Sequence, residues 1–222
     1  MANQPAIHDW ISGFVLFEGI SRECRDRLAA ASREVPVTRQ EVIYRRGDSA
    51  TGLFVLATGH VKLSIHSEKG PEKVIDLIGP GQSFGEAAMV LSHSYQHQAQ
   101  ALEDGLLIWM PKDAVEKAAD KFAGFSRRLM ASLALQCESL QHDIELVNLH
   151  SASERVADYL LHQPIEEGKT RLRFDKRVIA SKLGLKPETF SRALQQLKLQ
   201  GLIAVKGASI LILDPNRLRS VA

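Results

Sequence analysis

Six side chains, Met130, Leu133, Cys137, Leu140, Ile144 and Val147, recur at spacings of 3, 4, 3, 4 and 3. Only a helix lines up residues with that period of about 3.5 along one narrow stripe. The flanking positions are polar, with Arg127, Arg128, Gln136, Glu138, Gln141, Asp143 and Glu145. The pattern predicts a dimerisation helix over residues 122–150 whose seam meets the same helix of a second copy. A single amphipathic helix more often packs on its own domain, but a stripe this narrow favours a partner helix. The seam therefore divides the chain into a part before it and a part after it, and each has its own texture.

Before the seam the apolar period is two. Short runs rich in β-formers (EVIYRR, GLFVLAT, HVKLSIH, EKVIDLI, QHQAQALE, LLIWM) follow one another between residues 35 and 111. They are separated by Gly47-Asp48, Gly59, Lys69-Gly70-Pro71, Gly79-Pro80-Gly81 and Asp104-Gly105. Strands at such regular intervals with glycine turns predict an all-β sandwich or barrel, a β-roll over residues 1–121. Val61, Leu63 and Ile65 alternate with Lys62, Ser64 and His66, which predicts one buried face for that strand. Ahead of the roll, Ser21 is placed to cap a helix RECRDRLAAA with Cys24, Leu28 and Ala31 on one face. FGEAAMVLS reads as a short helical insertion.

After the seam, residues 151–222 carry 13 basic against 7 acidic side chains, a local +6, whereas residues 1–150 carry 15 against 19. A basic smaller part beside an acidic larger one directs attention to nucleic acid. ERVADYLLHQ reads as a helix, a polar loop follows at Glu166-Glu167-Gly168-Lys169, and TRLRF is a possible strand. Asp175 can cap KRVIASKLG, and Pro187 can open PETFSRALQQLKLQ, which stops at Gly201. Gly184-Leu185-Lys186 between them is a tight turn needing a positive φ. In the second helix Phe190, Leu194 and Leu197 share one face, while Glu188, Ser191, Arg192 and Gln195 share the other. This is a helix-turn-helix, and the polar face is the one that would enter a major groove of double-stranded DNA. Arg192 can donate to guanine O6 and N7, and Glu188 can accept from cytosine N4. Lys182, Thr189 and Lys206 are expected on phosphates, which position without specifying sequence. The hairpin pattern LIAV–KGA–SILIL reads as a wing.

These pieces resemble the Crp/Fnr family of bacterial transcription regulators across nearly the whole chain. The resemblance is carried by Gly47-Asp48, Gly59, the run Gly79-x-Gly81-x-x-x-Gly85-Glu86, the long helix and the winged reader. Its most specific segment is Glu188-Thr189-Phe190-Ser191-Arg192, similar to the reading motif of the Fnr branch, and Pro187 through Leu213 with RVADYLL looks most like the nitric-oxide-responsive Dnr type. The resemblance implies an α+β protein with a cyclic-nucleotide-binding-like β-roll (a jelly roll), a long dimer helix and a winged helix-turn-helix. It further implies a homodimer on a TTGAT-like palindrome, read by Glu188, Ser191 and Arg192. RNA polymerase is the implied partner, and an effector at the roll is the implied control.

The effector is less legible. In cyclic-nucleotide members a Gly-Glu pair cradles the ribose and a later Arg-Ser pair holds the phosphate. Here Gly85-Glu86 is present, but the later stretch reads Gln96-His97-Gln98-Ala99 without a cation. A cyclic phosphate would lose its strongest charge-assisted contact there. Two cysteines, Cys24 and Cys137, cannot ligate a four-cysteine iron–sulfur cluster within one chain. Haem remains as a candidate cofactor through the Dnr-type resemblance, with His93, His97, His142 and His150 as candidate imidazoles. The effector pocket is thus expected among Gly85, Glu86, His93, His97 and His142. A cupin-like metalloenzyme is the alternative of a different class, although no His-x-His pair supports it. No apolar run approaches the roughly 20 residues that span a bilayer, and MANQPAIHDW lacks the basic start of a secretory signal, so a cytoplasmic protein is expected.

Overall fold

A computed structural model describes residues 7–66, 70, 72–165 and 168–222. The expected turn at Lys69 and Pro71 and the expected loop at Glu166-Glu167 lie outside the described residues, as do the first six residues of the chain. Contacts divide the chain into two compact units, Met1–Glu138 and Ser139–Ala222. The boundary falls within one continuous helix, Ala123–Leu149. No helix among the described residues is long and apolar enough to cross a membrane.

The first unit opens with helix α1 (Ile7–Gly13), a 3-10 turn at Val15–Phe17 and helix α2 (Arg22–Ala31). Ser21 caps α2 as expected, accepting from the Cys24 amide. Cys24 and Leu28 are buried, but Ala31 is exposed, because the helix turns its last residue away from the core. Strands β1 (Arg33–Val37), β2 (Val42–Tyr44), β3 (Gly52–Thr58), β4 (Val61–Ile65), β5 (Lys73–Ile78) and β6 (Ser83–Phe84) follow. Helix α3 (Glu86–Val90) is the short insertion, and β7 (Gln98–Ala101) and β8 (Gly105–Pro111) complete the roll. The strands form two antiparallel four-stranded sheets, ordered β1-β8-β3-β6 and β2-β7-β4-β5.

The unbroken apolar run of β3 now has a cause. Leu56 packs with Val61, Phe84, Ala99 and Leu107 between the sheets. Leu53 and Val55 point the other way, onto Ile11, Phe17, Leu28, Met110, Phe125 and Leu129. Helices therefore cover the outer face of the first sheet, and β3 is buried on both sides. The same holds for most of β4, where one buried face was expected. Lys62 and Ser64 are buried along with Val61 and Leu63, while Ile65 is 37% exposed. Lys62 tolerates this position because its ammonium sits 2.6 Å from the Glu72 carboxylate. That pairing also holds the Glu72 carboxyl below its ordinary pKa, despite a burial that acts in the opposite direction.

Helix α4 (Lys112–Lys121) was not foreseen as a separate element; it ends at Phe122, whose extended backbone separates it from α5 (Ala123–Leu149). In the second unit α6 (Ala152–Leu161) begins with a reciprocal capping box between Ser151 and Glu154. Strand β9 (Lys169–Arg171), helix α7 (Lys176–Lys182), helix α8 (Pro187–Leu199), β10 (Ile203–Lys206) and β11 (Ser209–Ile212) follow. The sheet order is β10-β11-β9. A final helix, α9 (Pro215–Val221), was missed by the sequence reading. Asp214 accepts from the Arg217 amide and Pro215 occupies the first turn, so the start signal was present.

Candidate nucleic-acid interface and effector cradle

Helices α7 and α8 are set by local chemistry. Asp175 accepts from the Arg177 amide and starts α7. Gly184 takes φ +67° in the turn, a left-handed conformation that costs glycine least. Pro187 then supplies the first residue of α8. Phe190, Ala193, Leu194 and Leu197 are buried, packed with Val156, Leu160, Ile179 and Leu183. Their burial turns Glu188, Ser191, Arg192 and Gln195 outward, and all four are exposed. No ion pair joins Glu188 to Arg192 among the described residues, so both charges stand free. Ser191 donates its hydroxyl to the Pro187 carbonyl at 2.9 Å, which holds it close to the helix.

The expected phosphate contacts divide. Thr189 is half-buried at the start of α8, and Lys206 is exposed where β10 turns into β11 through Gly207-Ala208. Lys182 departs from expectation. Its ammonium lies 2.5 Å from Asp143, and the side chain is only 15% exposed. That pairing engages the lysine within its own domain. Arg155 makes a second tie that the sequence did not reveal, donating to the carbonyls of Val147, His150 and Leu183 at 2.8, 2.9 and 3.2 Å. The end of α5 and the turn after α7 are thereby joined through one guanidinium.

On α5 the seam residues face away from the chain's own core. Met130, Leu140 and Ile144 are 60%, 50% and 63% exposed, and Val147 and Cys137 are exposed as well. Leu133 alone is half-buried. The face that does pack on the roll is formed by Phe125 and Leu129. Ser132 and Gln136 extend it with polar contacts.

Those contacts meet at Glu86. Gly85 takes φ +89° before α3, and Glu86 behind it is only 1% exposed. One carboxylate oxygen accepts from Gln136 Nε2 at 2.6 Å, Ser83 Oγ at 2.8 Å and Ser132 Oγ at 3.3 Å. Gln136 and Ser132 could not be assigned to Glu86 from the sequence, since they lie 50 and 46 residues away. The histidines expected around Glu86 differ in their surroundings. His97 is half-buried, with Nε2 2.8 Å from the Tyr44 hydroxyl, and burial pushes its pKa down despite the opposing charge of Asp76. Tyr44 stacks on Tyr95 at 3.6 Å between ring centroids, and burial raises both phenols, Tyr95 to about 12. His93 is exposed. His142 belongs to the second unit and is exposed, 3.4 Å from Asp158. Within the first unit Glu86 Oε1 is taken up by its own chain while Oε2 is buried without a hydrogen-bond partner among the described residues, His97 is engaged by Tyr44, and His93 is exposed.

Comparison with known proteins places these features. The cyclic nucleotide-binding domain pattern matches residues 34–122, and the Crp-like helix-turn-helix domain pattern matches residues 154–221. The anaerobic regulatory protein of Haemophilus influenzae is 28% identical over 195 residues, covering 84% of this chain and 75% of its own. Electron transport regulator A of Shewanella oneidensis is 28% identical over 197 residues, covering 86% of this chain and 78% of its own. The structure of FixK2 from Bradyrhizobium japonicum superposes with a TM-score of 0.79 at 28% identity, over 86% of this chain and 96% of that one. With both domains matched in this order, and with relatives of the same class spanning most of its length, the chain belongs to the Crp/Fnr family of DNA-binding transcription regulators.

Proposed function

We propose that the chain works as a homodimer that reads a TTGAT-like palindrome through Glu188, Ser191 and Arg192, under the control of an effector acting at the β-roll. One observation carries the reading: a carboxylate, a hydroxyl and a guanidinium stand exposed at the start of α8 above a fully buried opposite face. Paired helices of a two-fold dimer enter the groove one turn of duplex apart, about 34 Å, so the half-sites are spaced by roughly 10 base pairs. Arg192 bonds a guanine, and Glu188 accepts from the cytosine N4 of that pair or its neighbour. Thr189 and Lys206 hold phosphates. The exposed seam supports the dimer, and RNA polymerase is the partner that the family implies. As a regulator the chain is not an enzyme, which sets the cupin-like alternative aside.

The effector is not a cyclic nucleotide in this reading. The stretch Gln96–Ala99 offers no cation for a phosphate, and of the two Glu86 oxygens only the buried Oε2 is left without a partner among the described residues. Nor do the two candidate histidines of the roll, His93 and His97, stand ready as axial haem ligands. His97 Nε2 is engaged by Tyr44, and His93 stands in solvent. The haem and nitric-oxide reading therefore rests on the Dnr-type resemblance, and an absorption spectrum of protein from haem-supplemented cells, with and without nitric oxide, tests it. For the DNA reading the test is binding-site selection with wild type and Glu188→Ala. Loss of preference at one G·C pair in each half-site is expected; an unchanged preference at every position would show that the reading face is wrongly assigned.

A further inference from the structure

Strands β1 and β2 are the terminal strands of the two sheets of the roll. Both line a cavity of about 310 Å³. On β1 the period of two puts Arg33, Val35 and Val37 on the face that lines it. Tyr44 of β2, Phe54 of β3 and Trp109 of β8 supply further walls, and Tyr95 completes an aromatic lining. The loop before β3 is pinned against that lining. The Gly47 amide donates to the Tyr95 carbonyl at 2.8 Å, and the Tyr95 amide donates to the Asp48 carbonyl at 2.9 Å. A cavity of this size lies within the range of small-molecule sites, about 300–1,000 Å³. It is separate from the Glu86 cradle, which follows β6 at the other end of β1's sheet and contributes no lining residue.

The charges around the cavity select a ligand. Arg33 is the one cation among the lining residues, and it is exposed. Its guanidinium lies over the Trp109 ring, 4.2 Å from the centroid, and no carboxylate pairs with it among the described residues. Two exposed carboxylates also line the cavity, but each closes its own turn. Glu41 accepts from the Thr38 amide and hydroxyl at 2.8 and 3.0 Å, and Asp48 accepts from the Arg45 amide at 2.8 Å. An arginine stacked on an aromatic face keeps N–H groups at its edge for a planar carboxylate. Aromatic walls in turn favour a flat ring, packed offset or edge-on. Tyr95 also packs against the turn at Gly85, where a Cβ would come within 3.2 Å of its ring. A ligand that shifts Tyr95 thereby presses on the turn that presents Glu86 to Gln136 of α5.

We propose that this cavity takes a small aromatic monocarboxylate, with the carboxylate on Arg33 and the ring among Val35, Val37, Phe54 and Trp109. As the entrance for an effector of the roll the site rests on the proposed function, whereas as a ligand site it rests on the cavity alone. Calorimetry separates the two, with full-length protein titrated with benzoate and with benzamide as its uncharged match. Wild type should bind benzoate with a Kd below about 1 mM, and benzamide about tenfold more weakly. Arg33→Gln should weaken benzoate about tenfold and leave benzamide within about twofold, so that the preference for the acid disappears. Arg33→Lys should keep that preference, because it keeps the charge. Val35→Phe narrows the cavity with a residue that suits a strand, and should weaken both ligands without lowering the denaturation midpoint. No saturable heat from benzoate up to about 10 mM would overturn the site, and so would benzoate binding that Arg33→Gln or Val35→Phe leaves unchanged. Affinity for the selected palindrome is then measured with and without saturating benzoate. A change of at least about fivefold would tie the site to control. Equal affinities would leave the ligand site standing and overturn its role as the effector's entrance.

Discussion

Glu86 and Glu188 both open a helix just after a turn, yet they end in opposite states. Glu86 is 1% exposed; one carboxylate oxygen accepts from three donors of the same chain, and the other is buried without a hydrogen-bond partner among the described residues. Glu188 is exposed and unpaired. The difference teaches where this molecule keeps its binding capacity. The Oε1 of Glu86 is committed to its own chain, and the acceptor capacity that remains, on Oε2, is sealed from solvent. An exposed group one residue past Pro187 keeps its hydrogen-bonding capacity for a partner. The roll's cradle is therefore part of the packing between roll and helix, whereas the start of α8 is a surface held ready by the core beneath it.

That contrast can be broken or sharpened in order of size. Phe190→Ala removes the largest fully buried side chain under the reading face and should cost about 3–5 kcal/mol of stability, read by chemical denaturation. A smaller loss would mean that the core does not position the reading helix as described. Next, Leu140→Lys would place like charges in the seam and should give monomers by light scattering. Their affinity for the palindrome should fall at least about 100-fold, or about 2.8 kcal/mol. A stable dimer would refute the seam.

The two glutamates then provide the direct test. Glu86→Ala leaves the buried Ser83 donor and the half-buried Ser132 and Gln136 donors without this acceptor, and should destabilise the protein by about 1–3 kcal/mol. Glu188→Ala should leave stability within about 0.5 kcal/mol and instead weaken binding to the selected site by about 1–3 kcal/mol. If the two variants exchanged these effects, the contrast would be wrong.

The smallest effects come from single exposed or half-buried groups. Lys206→Ala should weaken all sequences about equally and lower the salt slope by about one per half-site. His97 carries a pKa depressed by burial, so the unfolded chain binds a proton before the native one does as pH falls. Stability should therefore be full above the ordinary histidine value of about 6.5 and decline as pH falls through the depressed native value. His97→Gln should flatten that decline in a series of denaturation curves; an unchanged slope would assign it to other groups.

Much of the second unit was legible because its signals are local. Asp175, Gly184, Pro187 and Gly201 mark starts and stops within a few residues of the atoms they act on. The 3.6 period of Phe190, Leu194 and Leu197 assigns the inner face without knowledge of what covers it. The start signal of helix α9, Asp214 and Pro215, is equally local.

What the residues decided by themselves was thus the type and start of most elements of the second unit and the inner face of α8, and with it the outward placement of Glu188, Ser191 and Arg192. Only the tertiary structure decided which polar groups remained free. Lys182 read as a free cation until the fold brought Asp143 to it from 39 positions away. Glu86 read as an open cradle until α5 delivered Gln136 from 50 positions away. Lys62 and Ser64 read as a solvated face, yet both are buried, with the Lys62 ammonium on Glu72. The physical reason is the same in each case: helix and strand period depend on neighbours a few residues apart, whereas satisfaction of a polar group depends on whichever distant element the packing places beside it.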